Sequence, residues 1–235
     1  MAIIKEYDEK KFTDLLKKYA FTYSDIYDKK YIIDLFGKMD NGVYSDSVEP
    51  SVASFYAEYD LSVKEKNRYK NFLEILKSLY SDLKNKNIVE VGGGPIPHLG
   101  REISQILVPD KTITVYDKKI SLRNNEPYKN LIVKKEEFKE NTDISKSDIV
   151  VGLAPCDATK VIIKSACENK KEFVVALCAC ELENKYYGIL EWYLKDMQEF
   201  INKYSIPNGL GEAQMINYDI SNPGFGLVLH NKKRR

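Results

Sequence analysis

Short apolar runs and amphipathic stripes alternate through the last two thirds of this chain. The runs Ile88 to Val91, Thr112 to Asp117, Leu131 to Val133, Ser147 to Leu153 and Glu172 to Cys178 are too short for independent helices, and they predict five strands. Between them, a stretch after Pro97 and the segment Lys160 to Cys167 predict helices. Tyr186 to Tyr204 carries Leu190, Tyr193, Leu194, Met197, Phe200, Ile201 and Tyr204 on one helical face, and Pro207, Gly209 and Gly211 then end it. Ala213 to Ile220 and Phe225 to His230 predict two more strands, joined at Ser221-Asn222-Pro223-Gly224. The alternation predicts an α/β fold.

The first 85 or so residues have a different pattern. Phe12, Leu15, Leu16 and Tyr19 repeat at helical spacing, as do Tyr69, Phe72, Leu73, Leu76, Tyr80 and Leu83, and Ser24 to Met39 also predicts a helix. Ser24 lacks the acid three residues on that would complete a capping box, since Tyr27 stands there. The expected organisation is a helical N-terminal cap over residues 1–85 and an α/β domain over 86–235, with the cap over the carboxyl edge of the sheet. Asn41 to Ser51 is a loop rich in Gly, Ser, Asp and Pro. The following Phe55-Tyr56-Ala57-Glu58-Tyr59 makes Tyr56 and Tyr59 candidates for contact with a substrate. Ordinary core packing is the competing reading in a chain with 17 tyrosines.

The chemistry concentrates at the first strand of the α/β part. Ile88-Val89-Glu90-Val91 runs into Gly92-Gly93-Gly94-Pro95-Ile96-Pro97, a helix start follows, and the next strand ends on Asp117, about 23 positions after Gly94. Glycines permit positive φ and a close approach to main-chain N–H groups at a helix start. Asp117 is placed to accept hydrogen bonds from two ribose hydroxyls, so the layout suits a cofactor that carries adenosine. A dinucleotide loop of the form Gly-x-Gly-x-x-Gly would need a third glycine where Pro97 stands, which argues against NAD.

The pattern acid-x-Gly-x-Gly of Glu90, Gly92 and Gly94 resembles the first motif of class I S-adenosylmethionine-dependent methyltransferases. That resemblance covers roughly residues 86 to 231 and implies a Rossmann-like seven-stranded sheet with a terminal antiparallel pair. It implies that Gly92, Gly93, Gly94 and Pro95 meet the methionine part of the cofactor, that Glu90 lies near its ammonium group and that Asp117 holds the ribose. Glu136 and Phe138 stand where the family contacts the adenine, and Leu153 and Pro155 stand at the strand end beside the transferred methyl group. The Asn-Pro-Pro-Tyr signature of many amine methyltransferases is missing there. Asp157 is the candidate for orienting or deprotonating an acceptor, with capping of the following helix as its alternative role.

Two narrower likenesses are present. Gly152-Leu153-Ala154-Pro155-Cys156-Asp157 and Val175-Ala176-Leu177-Cys178-Ala179-Cys180-Glu181 look like a subgroup of methyltransferase domains, some acting on RNA. That subgroup has histidines where this chain has Ala154 and Glu181. Gly93-Gly94-Pro95-Ile96-Pro97 is similar to the loop of nicotianamine synthases, which transfer an aminocarboxypropyl group from the same cofactor. Methyl transfer to RNA or a small molecule, aminocarboxypropyl transfer and a non-catalytic binding module are therefore the three expectations.

Composition narrows the partners. With 36 basic and 35 acidic side chains the net charge is +1, so no global field favours nucleic acid or an anionic membrane. RNA binding would need a local patch, and the only dense basic run is Lys232-Lys233-Arg234-Arg235, which reads as a solubilising tail. No stretch of about eighteen apolar residues exists, and the opening Met-Ala-Ile-Ile-Lys-Glu-Tyr-Asp has no apolar core of a leader, so the expectation is a cytoplasmic protein without membrane contact. Cys156, Cys167, Cys178 and Cys180 are expected as thiols. Cys178 and Cys180 would share a strand face with Cys156 at the adjacent strand end, but packed thiols are favoured over a metal site. His98, at a helix start, is a poor candidate base.

Overall fold

Among the described residues, strands β1 (Ile88–Val91), β2 (Ile113–Tyr116), β3 (Leu131–Lys134), β4 (Ile149–Leu153), β5 (Glu172–Ala176), β6 (Gln214–Asn217) and β7 (Leu227–His230) form one sheet. The computed structural model describes residues 63–94, 97–120, 122, 128–178, 185, 188–217 and 227–232. The strand order is β3-β2-β1-β4-β5-β7-β6. Strands β1 to β5 pair in parallel, whereas β7 lies antiparallel between β5 and β6. This is the Rossmann-like seven-stranded α/β sheet expected from the sequence, and its antiparallel β7 sets it apart from the 3-2-1-4-5-6 order of dinucleotide-binding sheets.

The sheet has two buried faces because β1, β4 and the four residues Phe173–Ala176 of β5 are buried without interruption. Side chains alternate, so Ile88, Ile149, Val151, Val174 and Ala176 join one core, while Val89, Val91, Val150, Phe173 and Val175 join the other. Helices α1 (Val63–Leu79) and α2 (His98–Ile106) cover the first face through Phe72, Leu76, Leu99 and Ile103. Helices α3 (Thr159–Glu168) and α4 (Leu190–Ser205) cover the second through Ile162, Ile163, Tyr193, Met197 and Ile201. Strand β3 alternates between half-buried and exposed positions, as an edge strand does.

The chain divides into two compact units, Met1–Val63 and Lys64–Arg235. The helical stripe from Tyr69 to Leu83, grouped with the cap in the sequence, belongs to the second unit, where Phe72, Leu73, Leu76, Tyr80 and Leu83 enter the core of the sheet. The physical reason is that β1 and β4 need cover on this face, and an amphipathic helix immediately before β1 supplies it. The rest of the expected cap lies outside the described residues. No helix among the described residues is long and apolar enough to cross a membrane.

The carboxyl-terminal pair is pinned by a side chain. Asn231 is fully buried; its Oδ1 accepts from the Phe173 N–H at 2.9 Å and its Nδ2 donates to Ser205 Oγ at 3.2 Å. The same amide reaches Cys167 Sγ at 3.6 Å. One residue thereby ties the ends of β7, β5 and α4 together. Replacing Asn231 by Ala leaves the Phe173 N–H buried without its acceptor, with an expected loss of about 1–3 kcal/mol in stability, measured by urea denaturation.

Candidate functional site

The loop after β1 meets two requirements with different glycines. Gly92 and Gly94 take the left-handed conformation, at φ 79° and 72°. Gly93 does not, and its role is close approach: a Cβ there would stand 2.4 Å from Val115 Cγ1. The loop is then fastened to β2. The Gly92 N–H donates to Tyr116 O at 2.9 Å, and the Gly94 N–H donates to Asp117 Oδ2 at 2.9 Å. The other carboxylate oxygen of Asp117 accepts from the Lys119 N–H at 2.7 Å. Each oxygen keeps a further lone pair for a ligand.

Glu90 lies beneath this loop. It alternates with Val89 and Val91, so its side chain enters the face covered by α2, and it is 2% exposed. Burial, then the negative charge of Asp117, push its carboxyl up to about 8, and the Gly100 N–H opposes the shift in part. Oε2 receives no hydrogen bond of ordinary geometry. An acid this buried, with one oxygen unpartnered, is costly to hold in a core.

A cavity of about 450 Å³ opens beside the loop at the carboxyl edge of the sheet. Gly92 and Asp117 form one wall, Glu137 and Phe138 another, and Pro155, Cys156, Asp157, Ala158 and Val161 the third. Phe138 is held edge-on by Tyr116, with ring centroids 5.5 Å apart. Lys118 pairs with Glu137 at 2.7 Å on the rim. The third wall is a strained turn, because Ala154 and Cys156 both hold positive φ, at 51° and 48°. A Cβ on Gly92 would lie 3.1 Å from Pro155 Cα, so the glycine loop and this turn touch.

The structure thus brings together Gly92, Asp117, Phe138, Pro155 and Asp157 as lining residues, with Gly93 and Gly94 in the loop but off the lining and Glu90 beneath it. Glu136 stands apart: it is exposed and paired with Lys134 at 3.6 Å, and its neighbour Glu137 lines the cavity instead. Leu153 is 7% exposed and belongs to the core beneath the site. Asp157 is 93% exposed and pairs with Lys185 at 3.1 Å. The alternative capping role is not observed, for neither the turn Cys156–Ala158 nor α3 has a side-chain cap. Pro95, Tyr56, Tyr59 and Cys180 lie outside the described residues.

Other lining residues escaped the sequence reading. Lys118, Lys119 and Val161 carry no motif, and the only signal available was their position just after a strand or near a helix start. Cys178 was expected inside β5, but the strand ends at Ala176. Its thiol still meets Cys156, with Sγ atoms 3.2 Å apart.

No family profile and no curated protein matches the chain. It is similar to solved structures that include two S-adenosylmethionine-dependent methyltransferases, at 11% and 12% identity with TM-scores of 0.46 and 0.47. A further structure is a precorrin-6y C5,15-methyltransferase from Geobacter metallireducens, at 15% identity over 67% of this chain and 85% of that one, with a TM-score of 0.43. Another is MtNAS in complex with MTA and tNA, at 15% identity over 97% of this chain and 82% of that one, with a TM-score of 0.49. The methyltransferase domain of bacterial CtHen1 matches at 12% identity over 68% of this chain and 96% of that one, with a TM-score of 0.48.

The state of Glu90 is open to measurement. The folded protein holds its proton up to about pH 8, whereas an unfolded chain releases it near 4.5. The folded state therefore binds the extra proton between those values, and stability declines as pH rises through the interval, on the order of a few kcal/mol. In Glu90→Gln that decline is expected to flatten, read from urea midpoints taken between about pH 5 and about pH 8.

Proposed function

We propose that this chain binds S-adenosylmethionine in the cavity at the carboxyl edge of its sheet and transfers the methyl group to an acceptor at the rim. The observation that carries the reading is the hydrogen bond from the Gly94 N–H to the Asp117 carboxylate, which ties the glycine loop to a strand-end acid that lines one cavity with Gly92. The residues present suit the cofactor. At about 450 Å³ the cavity falls in the range of small-molecule sites, about 300–1,000 Å³. A carboxylate on one wall, an aromatic ring on another and an unsatisfied buried acid behind the loop match a molecule with ribose, purine and cationic parts.

In this reading Asp117 accepts from the ribose hydroxyls, and Phe138 packs on the adenine. Glu137, which lines the cavity where Glu136 does not, takes the role of acid beside the adenine amino group. Gly92, Gly93, Gly94 and Pro95 are the candidates for the main-chain bed of the methionine part, and the ammonium beside Glu90 would draw off the proton that this buried carboxyl otherwise holds. Leu153 supports the strand end from below. Pro155 and Asp157 face the acceptor, and Tyr56 and Tyr59 are carried from the sequence as further candidates for contact with it.

The bound cofactor supplies an activated sulfonium methyl. The protein's task is to hold an acceptor lone pair in line with it and to keep water out, and alignment of this kind lowers a barrier by several kcal/mol without an acid or base. Asp157 orients the acceptor or takes its proton. Its exposure and its pairing with Lys185 suit a group that meets the acceptor after the cofactor is in place. A net charge of +1 gives no general pull on RNA, so an RNA acceptor would depend on a local patch.

The loop wording Gly93-Gly94-Pro95-Ile96-Pro97 favours a second reading, aminocarboxypropyl transfer from the same cofactor. The products separate the two, since methyl transfer leaves S-adenosylhomocysteine and the alternative leaves methylthioadenosine. A non-catalytic binding module would release neither.

Isothermal titration with S-adenosylhomocysteine is expected to show binding that weakens about 10- to 100-fold in Asp117→Ala, the loss of hydrogen bonds to a charged group. Correctly folded protein that binds neither this ligand nor S-adenosylmethionine would overturn the proposal. Once an acceptor is found, Asp157→Asn is expected to lower turnover with little change in cofactor affinity, checked by single-turnover kinetics.

A further inference from the structure

Two thiols meet where the third wall of the cavity is built. Strands β4 and β5 run parallel with Leu153 opposite Ala176, and the last ladder bond joins the Ala154 N–H to Ala176 O at 3.0 Å. Beyond it the chain after β4 turns through positive φ at Ala154 and Cys156, which carries Cys156 back over the end of β5. Cys178 stands two residues past Ala176. The Sγ atoms are 3.2 Å apart, and the Cys156 thiol also lies 3.6 Å from Ala154 O.

That spacing fits a covalent couple better than a metal. A disulfide has sulfurs about 2.05 Å apart, so closure needs roughly 1 Å of approach, within reach of side-chain rotation. Among the described residues no group of three Cys, His, Asp or Glu completes a metal set. Both thiols are partly exposed, and Cys156 lines the cavity. Cys167 provides the internal contrast: it is buried, and burial pushes its thiol up to about 11 against the opposing hydrogen bonds from Ser205 and Asn231, so it stays inert.

We propose that Cys156 and Cys178 form a dithiol–disulfide couple on the rim of the cavity, closed by exchange with a small organic disulfide. The Cys156 thiolate attacks one sulfur of the small disulfide, forming a mixed disulfide and expelling one small thiolate. Cys178 loses its proton to that thiolate and attacks Cys156 Sγ, expelling the second small thiolate, which takes up the proton Cys156 released. Two electrons pass from the protein thiols to the small disulfide, and two small thiols leave. Because Cys156 adjoins Pro155 and Asp157 on the same wall, closure pulls that wall toward β5. Resting on the function proposed above, closure lowers the affinity for the cofactor.

The test treats the full chain with glutathione disulfide and maps its peptides without reduction. The expected result is a Cys156–Cys178 link, reversed by dithiothreitol, with S-adenosylhomocysteine affinity lower in the linked form on the order of fivefold or more. Cys178→Ser is expected to stop at a glutathione adduct on Cys156, whereas Cys180→Ser still forms the link. Wild-type protein in which both thiols remain unlinked, or in which Cys156 links to Cys180, overturns the couple. Linked and reduced forms of equal affinity overturn the effect on the cofactor. A link that forms in protein unable to bind S-adenosylhomocysteine in either state supports the couple and sinks the proposed function instead.

Discussion

Burial of the central strands on both faces is the constraint from which the rest of this molecule follows. β1 and β4 have no polar face to give to water, so helices must lie on both sides. Parallel strands then force every connection to cross from one edge of the sheet to the other. The loops after β1, β2, β3 and β4 consequently emerge together at the carboxyl edge, where the cavity is lined by residues from all four. The site is an outcome of the packing problem, and the motif residues exploit a place that the fold had already created.

Within that frame, one carboxyl group is held against its preference. Glu90 occupies a core position on β1, in line with Ile88, and it has Asp117 as an electrostatic neighbour. The cost of burying it is borne by the apolar packing around it. A cationic ligand beyond the loop would relieve this burden, and this gives the site a physical reason to bind such a group. Asp117 works under the opposite regime. It is satisfied by two backbone N–H groups and serves both as an anchor for the loop and as a face presented to the cavity.

The wall opposite the glycine loop shows how strain and chemistry coincide. Ala154 and Cys156 hold backbone conformations that favour glycine, and the contact of Pro155 with Gly92 keeps this turn against the loop. The same turn delivers one thiol onto another across two neighbouring strands. A rim of this kind couples the shape of the cavity to the state of its side chains.

Strand identity, the glycine turn and the acid at the end of β2 were legible in the sequence because each depends on local pattern: apolar runs, a residue without Cβ, and spacing along the chain. The meeting of Cys156 with the end of β5 was legible in outline for the same reason. Other features were decided only by tertiary structure. Glu137 in place of Glu136 on the cavity wall depends on which way an irregular segment turns after β3. The allegiance of α1 to the sheet depends on which surface needs cover, and periodicity alone does not name the partner of an amphipathic helix. The raised carboxyl of Glu90 is likewise a property of its surroundings, since burial and a neighbouring charge act through space and leave no mark on the order of residues.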